Sequence, residues 1–220
     1  MGDIMENIKT GKERQKAYQT EYQRYKIAMK YEFYLEAVAI CYAVIEDRLI
    51  SFLHHAGIVT RTNDNLCINS KVYPYVRRLL NKDDNCNVKI KDISVKMAVV
   101  QSLLNLTEER ALEIDEEVCE HIKGIKRKQS VAKPGYMMDL YSKVQKVHLQ
   151  EALDAFTVLN KWRDDRNKLI HALLNNTASS ALEAKRSCAE NGYPISRSFD
   201  DHLVKPFKKS NTLRKKYNIQ

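Results

Sequence analysis

Trp162-Arg163-Asp164-Asp165-Arg166-Asn167-Lys168-Leu169-Ile170-His171-Ala172-Leu173-Leu174-Asn175 is the stretch on which the reading of this chain turns. Wound as a helix at about 100° per residue, it gathers Trp162, Leu169, Ile170, Leu173 and Leu174 on one broad face. Phe156 and Leu159, just upstream, extend that face. Asp164, Asp165 and Lys168 fall on the opposite, wet side. A stripe of this width is buried against other helices. Arg166 breaks the pattern, because it projects into the middle of the apolar arc. Asn167 and His171, four residues apart, share the flank of the arc, with Arg163 alongside. A guanidinium on such a face must be paired or must snorkel to water.

Working outward, the remainder of the chain reads as helical too. Gly (6) and Pro (4) are scarce among 220 residues, which suits long helices better than a turn-rich β fold. Lys12 to His55 contains neither, and Leu35, Val38, Ala39, Tyr42, Ile45, Leu49, Phe52 and Leu53 recur at helical spacing, with Gly57 as the stop. Tyr18, Tyr22, Tyr25, Tyr31 and Tyr34 line the early part, either as a partly buried stripe or as a surface that stacks on bases.

Residues 58–70 read as a loop, with Thr62-Asn63-Asp64-Asn65 as its turn chemistry. Pro74 opens a short helix to about Leu80. A helix follows from Asp92 to Leu106, and Thr107 caps another that starts with Glu108 and Glu109 and ends near Gly124. Lys123 to Lys133 forms a basic loop. Tyr136 to Asn175 is the second long helical stretch. A shorter helix spans Ser179 to Ala189, ended by Asn191-Gly192-Tyr193-Pro194. Strand alternation is confined to the neighbourhood of Cys86 to Ile93. The expectation is an all-α, up-and-down helix bundle with long first and late helices. Its domain covers 1–195, with 58–135 as a helical insertion, and 196–220 follow as a loosely held basic tail.

The formal net charge is +9, and Lys205, Lys208, Lys209, Arg214, Lys215 and Lys216 lie between Leu203 and Gln220 with no acid among them. A basic chain favours polyanionic partners such as RNA; a solvated tail is the plainer reading. The five cysteines, Cys41, Cys67, Cys86, Cys119 and Cys188, are odd in number and widely spaced, without a zinc-like cluster, so they read as reduced and structural. No metal or other cofactor is expected. The first fifteen residues lack a signal-peptide apolar core, and no apolar run is long enough for a bilayer. The protein is expected in the cytoplasm, away from membranes.

The first long helix carries an oddity complementary to Arg166. On the wheel Glu46 lies among Leu35, Val38, Ala39, Tyr42, Leu49 and Leu53, while Asp47 and Arg48 point elsewhere. Glu46 is therefore expected to meet Arg166 across the two long helices, either to pose the guanidinium for chemistry or as a structural ion pair. The chemistry that suits these side chains is RNA cleavage. RNA brings its own nucleophile, the 2′-hydroxyl. What it needs is a group to take that proton, a group to protonate the leaving 5′-oxygen, and positive charge at the phosphorus. His171 suits proton transfer, Arg166 offers a planar fork for phosphate oxygens, and Asn167 can orient either. A straight helix holds Arg166 and His171 about 140° apart. Either the helix is distorted there, or two copies of the motif face each other in a homodimer.

Arg166-Asn167-xxx-His171 resembles the R-x(4–6)-H motif of the HEPN superfamily, in its common form with Asn after Arg. The resemblance covers residues 30–56 and 150–175. It implies a helical bundle whose motif lies at the start of a late helix, and a metal-independent endoribonuclease whose composite site forms on dimerisation. It implies Arg166 and His171 as catalytic, Asn167 as supporting, and Glu46 as the acid some members carry on the facing helix; Arg163 is a further candidate. It also implies a toxin–antitoxin or anti-phage defence setting, with an antitoxin or other defence protein as partner. Members paired with an MNT-type nucleotidyltransferase carry a Tyr two residues after His; Leu173 stands there in this chain, so modification at that position is not expected. The competing readings are a non-catalytic helical RNA- or protein-binding module and a purely structural helical protein.

Overall fold

The computed structural model describes residues 11–62, 65–83, 86–123, 131–147, 149–174, 180–210 and 212–219. Among these residues the chain is overwhelmingly helical, as expected, and they fall into two compact units. One comprises the chain up to Asp47 together with Ala155–Phe199; the other comprises Arg48–Asp154 and Asp200–Gln220. No helix among the described residues is long and apolar enough to cross a membrane.

The first unit is built from α1 (Gly11–Lys30), the first half of α2 (Tyr34–His55), most of α7 (Leu149–Leu174) and α8 (Ser180–Phe199). The helix expected to run unbroken from Lys12 to His55 is two helices. Glu32 takes a left-handed φ of 59°, and Phe33 N–H donates to Ala28 C=O (2.8 Å) while Glu32 N–H donates to Met29 C=O (3.3 Å). That pair of bonds is the Schellman ending of a helix, made here without the Gly or Asn that announces it.

Side chains from all four helices meet in this unit. The Tyr25 hydroxyl donates to Ala189 C=O at 3.1 Å, and Tyr193 of α8 stacks against Tyr22 and Tyr25 of α1 at 4.4 and 5.3 Å. Trp162 Nε1 donates to Cys188 C=O at 2.8 Å. Most of the tyrosine stripe is therefore internal packing. Tyr18 likewise donates to Asp47, which is buried. The inner face of α2 in this unit is thus set by Ala37, Val38, Cys41, Ile45 and Asp47, while Leu35 and Ala39 are exposed.

Asn191-Gly192-Tyr193-Pro194 does not end α8, which runs through to Phe199. Gly192 is there for space. A Cβ on it would lie 2.8 Å from Cys41 Cβ and 2.9 Å from Trp162 Cζ2. Alanine would gain about 1 kcal/mol in helix propensity, but overpacking of a filled core costs about 1–3 kcal/mol. The second term wins at these distances, so Gly192→Ala lowers stability by about 1 kcal/mol or more in urea unfolding. A stabilised variant would show that Gly192 is not a packing residue.

The second unit holds the remainder of α2, a β-hairpin, α3 (Tyr73–Leu79), α4 (Ile93–Leu104), α5 (Glu108–Lys123), α6 (Tyr136–Gln145) and the start of α7. A π-helical turn over Asp200–Val204, then α9 (Lys205–Ser210) and α10 (Leu213–Lys216), complete it. Gly57 (φ 81°) ends α2 as expected, and the Thr107 hydroxyl accepts from Arg110 N–H at 3.2 Å at the start of α5. The hairpin corrects the reading of 58–70 as loop. β1 (Val59–Thr62) pairs antiparallel with β2 (Asn65–Ile68), Val59 opposite Ile68. Strands of four residues are too short for their alternation to stand out. Cys86 to Asp92 forms no strand among its described residues. The second long stretch is also interrupted, between Gln145 and Leu149, with Val147 turned into the core. Of the basic loop expected over Lys123 to Lys133, residues 124–130 lie outside the described residues.

The segment from Ser196 onward is not a loose tail. Leu203, Val204, Phe207, Leu213, Tyr217 and Ile219 are all buried. Phe207 meets Phe52 at 4.7 Å between ring centroids, and Tyr136 lies between Tyr75, tilted at 5.3 Å, and Tyr217, edge-on at 5.4 Å. The six basic residues disguised an amphipathic pattern whose apolar side closes a core. Asp200, buried in the π-turn, pairs with Arg48 at 3.1 Å and Lys205 at 3.4 Å.

Asp139 of α6 secures α10 by accepting from the Tyr217 hydroxyl at 2.6 Å and pairing with Lys216. Partial burial pushes its carboxyl up, but the bonds from Lys216 and Tyr217 together outweigh burial and hold it below the usual aspartate range. A depressed carboxylate adds stability that is present above its unfolded value, about 3.9, and is lost as pH falls through the lower folded value. Acidification below about pH 4 therefore loosens α10, and Asp139→Asn costs about 1 kcal/mol at neutral pH and flattens that acid limb. Hydrogen exchange of the 213–219 amides reads both effects; equal acid sensitivity in wild type and variant would refute the assignment.

Candidate functional site

The candidate residues Arg163, Arg166, Asn167 and His171 all lie in the C-terminal half of α7, within the first unit. The helix is regular from Leu149 to Leu174, with no π or 3₁₀ turn in the motif. Local distortion therefore does not bring Arg166 and His171 together, and their directions stay about 140° apart.

Asp164, Asp165 and Lys168 are exposed, and Phe156, Leu159, Trp162 and Leu169 are buried, as the wheel requires. Arg166 is half-buried between these faces. Its guanidinium carbon stands 4.4 Å from the centroid of the Tyr42 ring on α2, and Nη1 donates to Asn167 Oδ1 at 3.1 Å. Nε is buried without a hydrogen-bond partner. Where the wheel assigned the guanidinium to Glu46, the structure gives it Tyr42, one turn earlier on the same helix. A half-exposed guanidinium does not need a carboxylate to offset desolvation, and a cation over an aromatic face gains about 0.5–2 kcal/mol. Tyr42 is the residue that sequence reading missed as a participant; its helical spacing of four from Glu46 was the available signal.

Arg163 lies one turn from Asn167 and binds Asp164 through Nε (3.1 Å) and Nη2 (2.8 Å). Glu46 is half-buried on α2. His171 is exposed in the last described turn of α7. The structure thus joins Arg166, Asn167 and Tyr42 into one cluster and leaves His171 on the surface beyond it.

A groove of about 630 Å³ runs between α7 and α8 in the same unit. Val158, Trp162, Leu169, Cys188 and Pro194 line it, with Lys161 and Lys168 among its polar residues. Neither Arg166 nor His171 belongs to it. Burial pushes the Cys188 thiol up to about 11 and that of Cys41 to about 12, so both are protonated and poorly nucleophilic at neutral pH. Both are free thiols, as are Cys67, Cys86 and Cys119.

Compared with family models, with curated proteins and with solved structures, the chain gives no match.

Proposed function

We propose that the protein is a metal-independent endoribonuclease of HEPN type, acting as a homodimer in a toxin–antitoxin or anti-phage defence setting. The observation that carries this reading is the Arg166 cluster. An arginine on a regular helix is held by Tyr42 and by its neighbour Asn167, while His171 of the same motif faces solvent, where a second copy can meet it. Two copies related by a two-fold axis would bring two arginines and two histidines to one scissile phosphate.

In that site one His171 takes the proton of the 2′-hydroxyl. The 2′-oxygen attacks phosphorus, the bond from phosphorus to the 5′-oxygen breaks, and the other His171 protonates the leaving oxygen. The products are a 2′,3′-cyclic phosphate and a 5′-hydroxyl. Arg166 carries the charge that builds on the phosphoryl oxygens, and Asn167 holds its fork. Glu46 and Arg163 support from α2 and from the turn before.

A second reading has its own observation. The half-buried contact of Arg166 with Tyr42 also suits a non-catalytic helical RNA- or protein-binding module in which the arginine is a packing device. Cleavage of RNA by the purified protein in EDTA separates the two. On the enzymatic reading, Arg166→Ala and His171→Ala each remove cleavage while the far-UV circular dichroism stays that of the wild type. RNA that is bound but never cut selects the binding module.

A further inference from the structure

Seven large apolar side chains are exposed among the described residues, and four of them, Ile27, Tyr31, Phe33 and Leu35, fall within nine positions at the corner where α1 gives way to α2. The backbone of that corner makes the exposure of Phe33 unusual. A left-handed helix ending commonly folds the next apolar residue back onto its helix. At the other two such endings, Gly57 and Asn218, the next residue is buried: Ile58 is 1% exposed and Ile219 is 4% exposed. Phe33, which follows Glu32, is 60% exposed, and Tyr31 is 59% exposed. Their ring centroids lie 6.3 Å apart. They form one apolar surface, which Ile27 extends along α1 and Leu35 along α2.

The charge at this surface is balanced. Residues 21–36 carry three bases, Arg24, Lys26 and Lys30, and three acids, Glu21, Glu32 and Glu36, a net of zero in a chain of net +9. Arg24 is paired with Glu21 and Glu36 at 3.1 and 3.2 Å, and Lys26 lies over Tyr22. Lys30 and Glu32, one on each side of Tyr31, are exposed, and neither meets an opposite charge among the described residues. A nucleic acid or an anionic bilayer would meet Glu32 between the two rings of the sequence. A strongly charged protein would find nothing here to complement. A second copy finds its own complement: about a two-fold axis, Lys30 of each copy faces the partner's Glu32. Copies that each carry +9 repel at a distance, and contact is least opposed where the local charge is zero.

The area suits a contact of this kind. The exposed parts of the four side chains come to about 400 Å² per copy, so two copies enclose on the order of 800 Å² of apolar core. With a polar rim the contact reaches the roughly 1,200 Å² at the lower end of specific interfaces, which fits a weak, concentration-dependent dimer. The place in the fold suits it too. α1 lies antiparallel to α2, with Tyr18 on Asp47 and Arg24 on Glu36, and antiparallel to α8, with Tyr22 on Tyr193 and Tyr25 on Ala189. The corner is thus at the end of the first unit where α8 starts and where α7 finishes, with His171 in its last turn. Residues 175–179, the connection at that end, read Asn-Asn-Thr-Ala-Ser and bring no large apolar side chain to cover the corner.

We infer that the corner formed by Ile27, Tyr31, Phe33 and Leu35 is the surface through which two copies of this chain meet about a two-fold axis, with Lys30 of one copy against the partner's Glu32. The inference deepens the reading above by giving its homodimer a surface, and it stands on the chemistry of the corner rather than on that of α7. A two-fold axis through the corner brings together the ends of the two units that carry His171.

Sedimentation equilibrium of the full chain over a concentration series reads the contact. Wild type shows a reversible equilibrium between monomer and dimer. Tyr31→Ser/Phe33→Ser raises the dimer Kd by about thirty-fold or more and keeps the wild-type circular dichroism, because both side chains are exposed. Lys30→Glu alone and Glu32→Lys alone each set like charges across the axis and weaken self-association by about ten-fold. Mixed together, those two single variants form a heterodimer at wild-type affinity, since both contacts across the axis are again between opposite charges. Wild type that stays monomeric at every concentration, or a Tyr31→Ser/Phe33→Ser protein that dimerises as wild type does, overturns the self-contact. So does a monomeric wild type that floats with phosphatidylserine vesicles while the double variant does not, which would assign the corner to a bilayer. A dimer that needs the corner but cuts no RNA in EDTA overturns the ribonuclease reading alone. RNA cleavage by a double variant that is still dimeric overturns the corner alone.

Discussion

His171→Ala protein, folded and mixed in equal amount with wild type, lowers RNA cleavage by the wild type once the two are allowed to exchange subunits. On the composite-site reading this outcome follows because α7 is regular through the motif, so the arginine and histidine of one copy point about 140° apart and each copy supplies one of the two histidines. Loss of a proton-transferring histidine costs about 10²–10⁴ in rate; loss of a charge-stabilising donor costs about 10²–10³. Either loss is far larger than the effect of removing a cation–aromatic contact on stability, about 1 kcal/mol, so inactivity of Arg166→Ala would not reflect unfolding. Random exchange leaves about half of the dimers mixed, and each of these keeps a single histidine and lacks either the base or the acid. Only the roughly one quarter of dimers that are wild type in both copies should cut, about half the activity present before exchange, and wild-type activity should fall more steeply than linearly on dilution. Activity unchanged by exchange, with the variant folded and dimeric by sedimentation, would remove the composite site.

Phe207→Ala is the variant expected to be most damaging to the fold. The side chain is fully buried and packs on Phe52. Deleting a buried phenylalanine costs about 3–5 kcal/mol, a large share of the roughly 5–15 kcal/mol that holds a domain together. Truncation after Ile195 goes further. It removes Leu203, Val204, Leu213, Tyr217 and Ile219 along with Phe207, and takes away the Arg48–Asp200 pair. The shortened chain should lose cooperative thermal unfolding. A truncated protein that melts as the full chain does would restore the detached-tail reading.

Local signals carried much of the helical fold. Pro74, Thr107 and Gly57 mark ends where the backbone chemistry is in the residue itself: a fixed φ, a capping oxygen, freedom to adopt a left-handed turn. The breaks that went unread are those in which tertiary packing overrides local preference. Glu32 adopts a conformation that costs an L-residue about 1–2 kcal/mol, so nothing in its type announces the end of α1. Gly192 and Pro194 carry the signature of a stop, yet α8 continues, since the glycine answers to Cys41 and Trp162 across the helix interface. The basic residues after Lys205 dominated the composition there and hid Leu203, Phe207 and Leu213.

The candidate site divides in the same way. The spacing of Arg166, Asn167 and His171 and their place on α7 follow from the period of one helix. The Tyr42 ring against Arg166 on α2 does not, because the register of one packed helix on another is written in neither wheel.

The contact between Phe52 and Phe207 also dictates when this protein can become itself. The two rings flank nearly the whole of the intervening chain, from the β-hairpin through α8 and the π-turn. A nascent polypeptide emerging at about 5–20 residues per second has long displayed α2 and the hairpin before Phe207 arrives to cover them. Contacts of such long range form late and slowly. The second half of α2 therefore spends its early life as an apolar surface without its lid, and it is there that a chaperone would take hold.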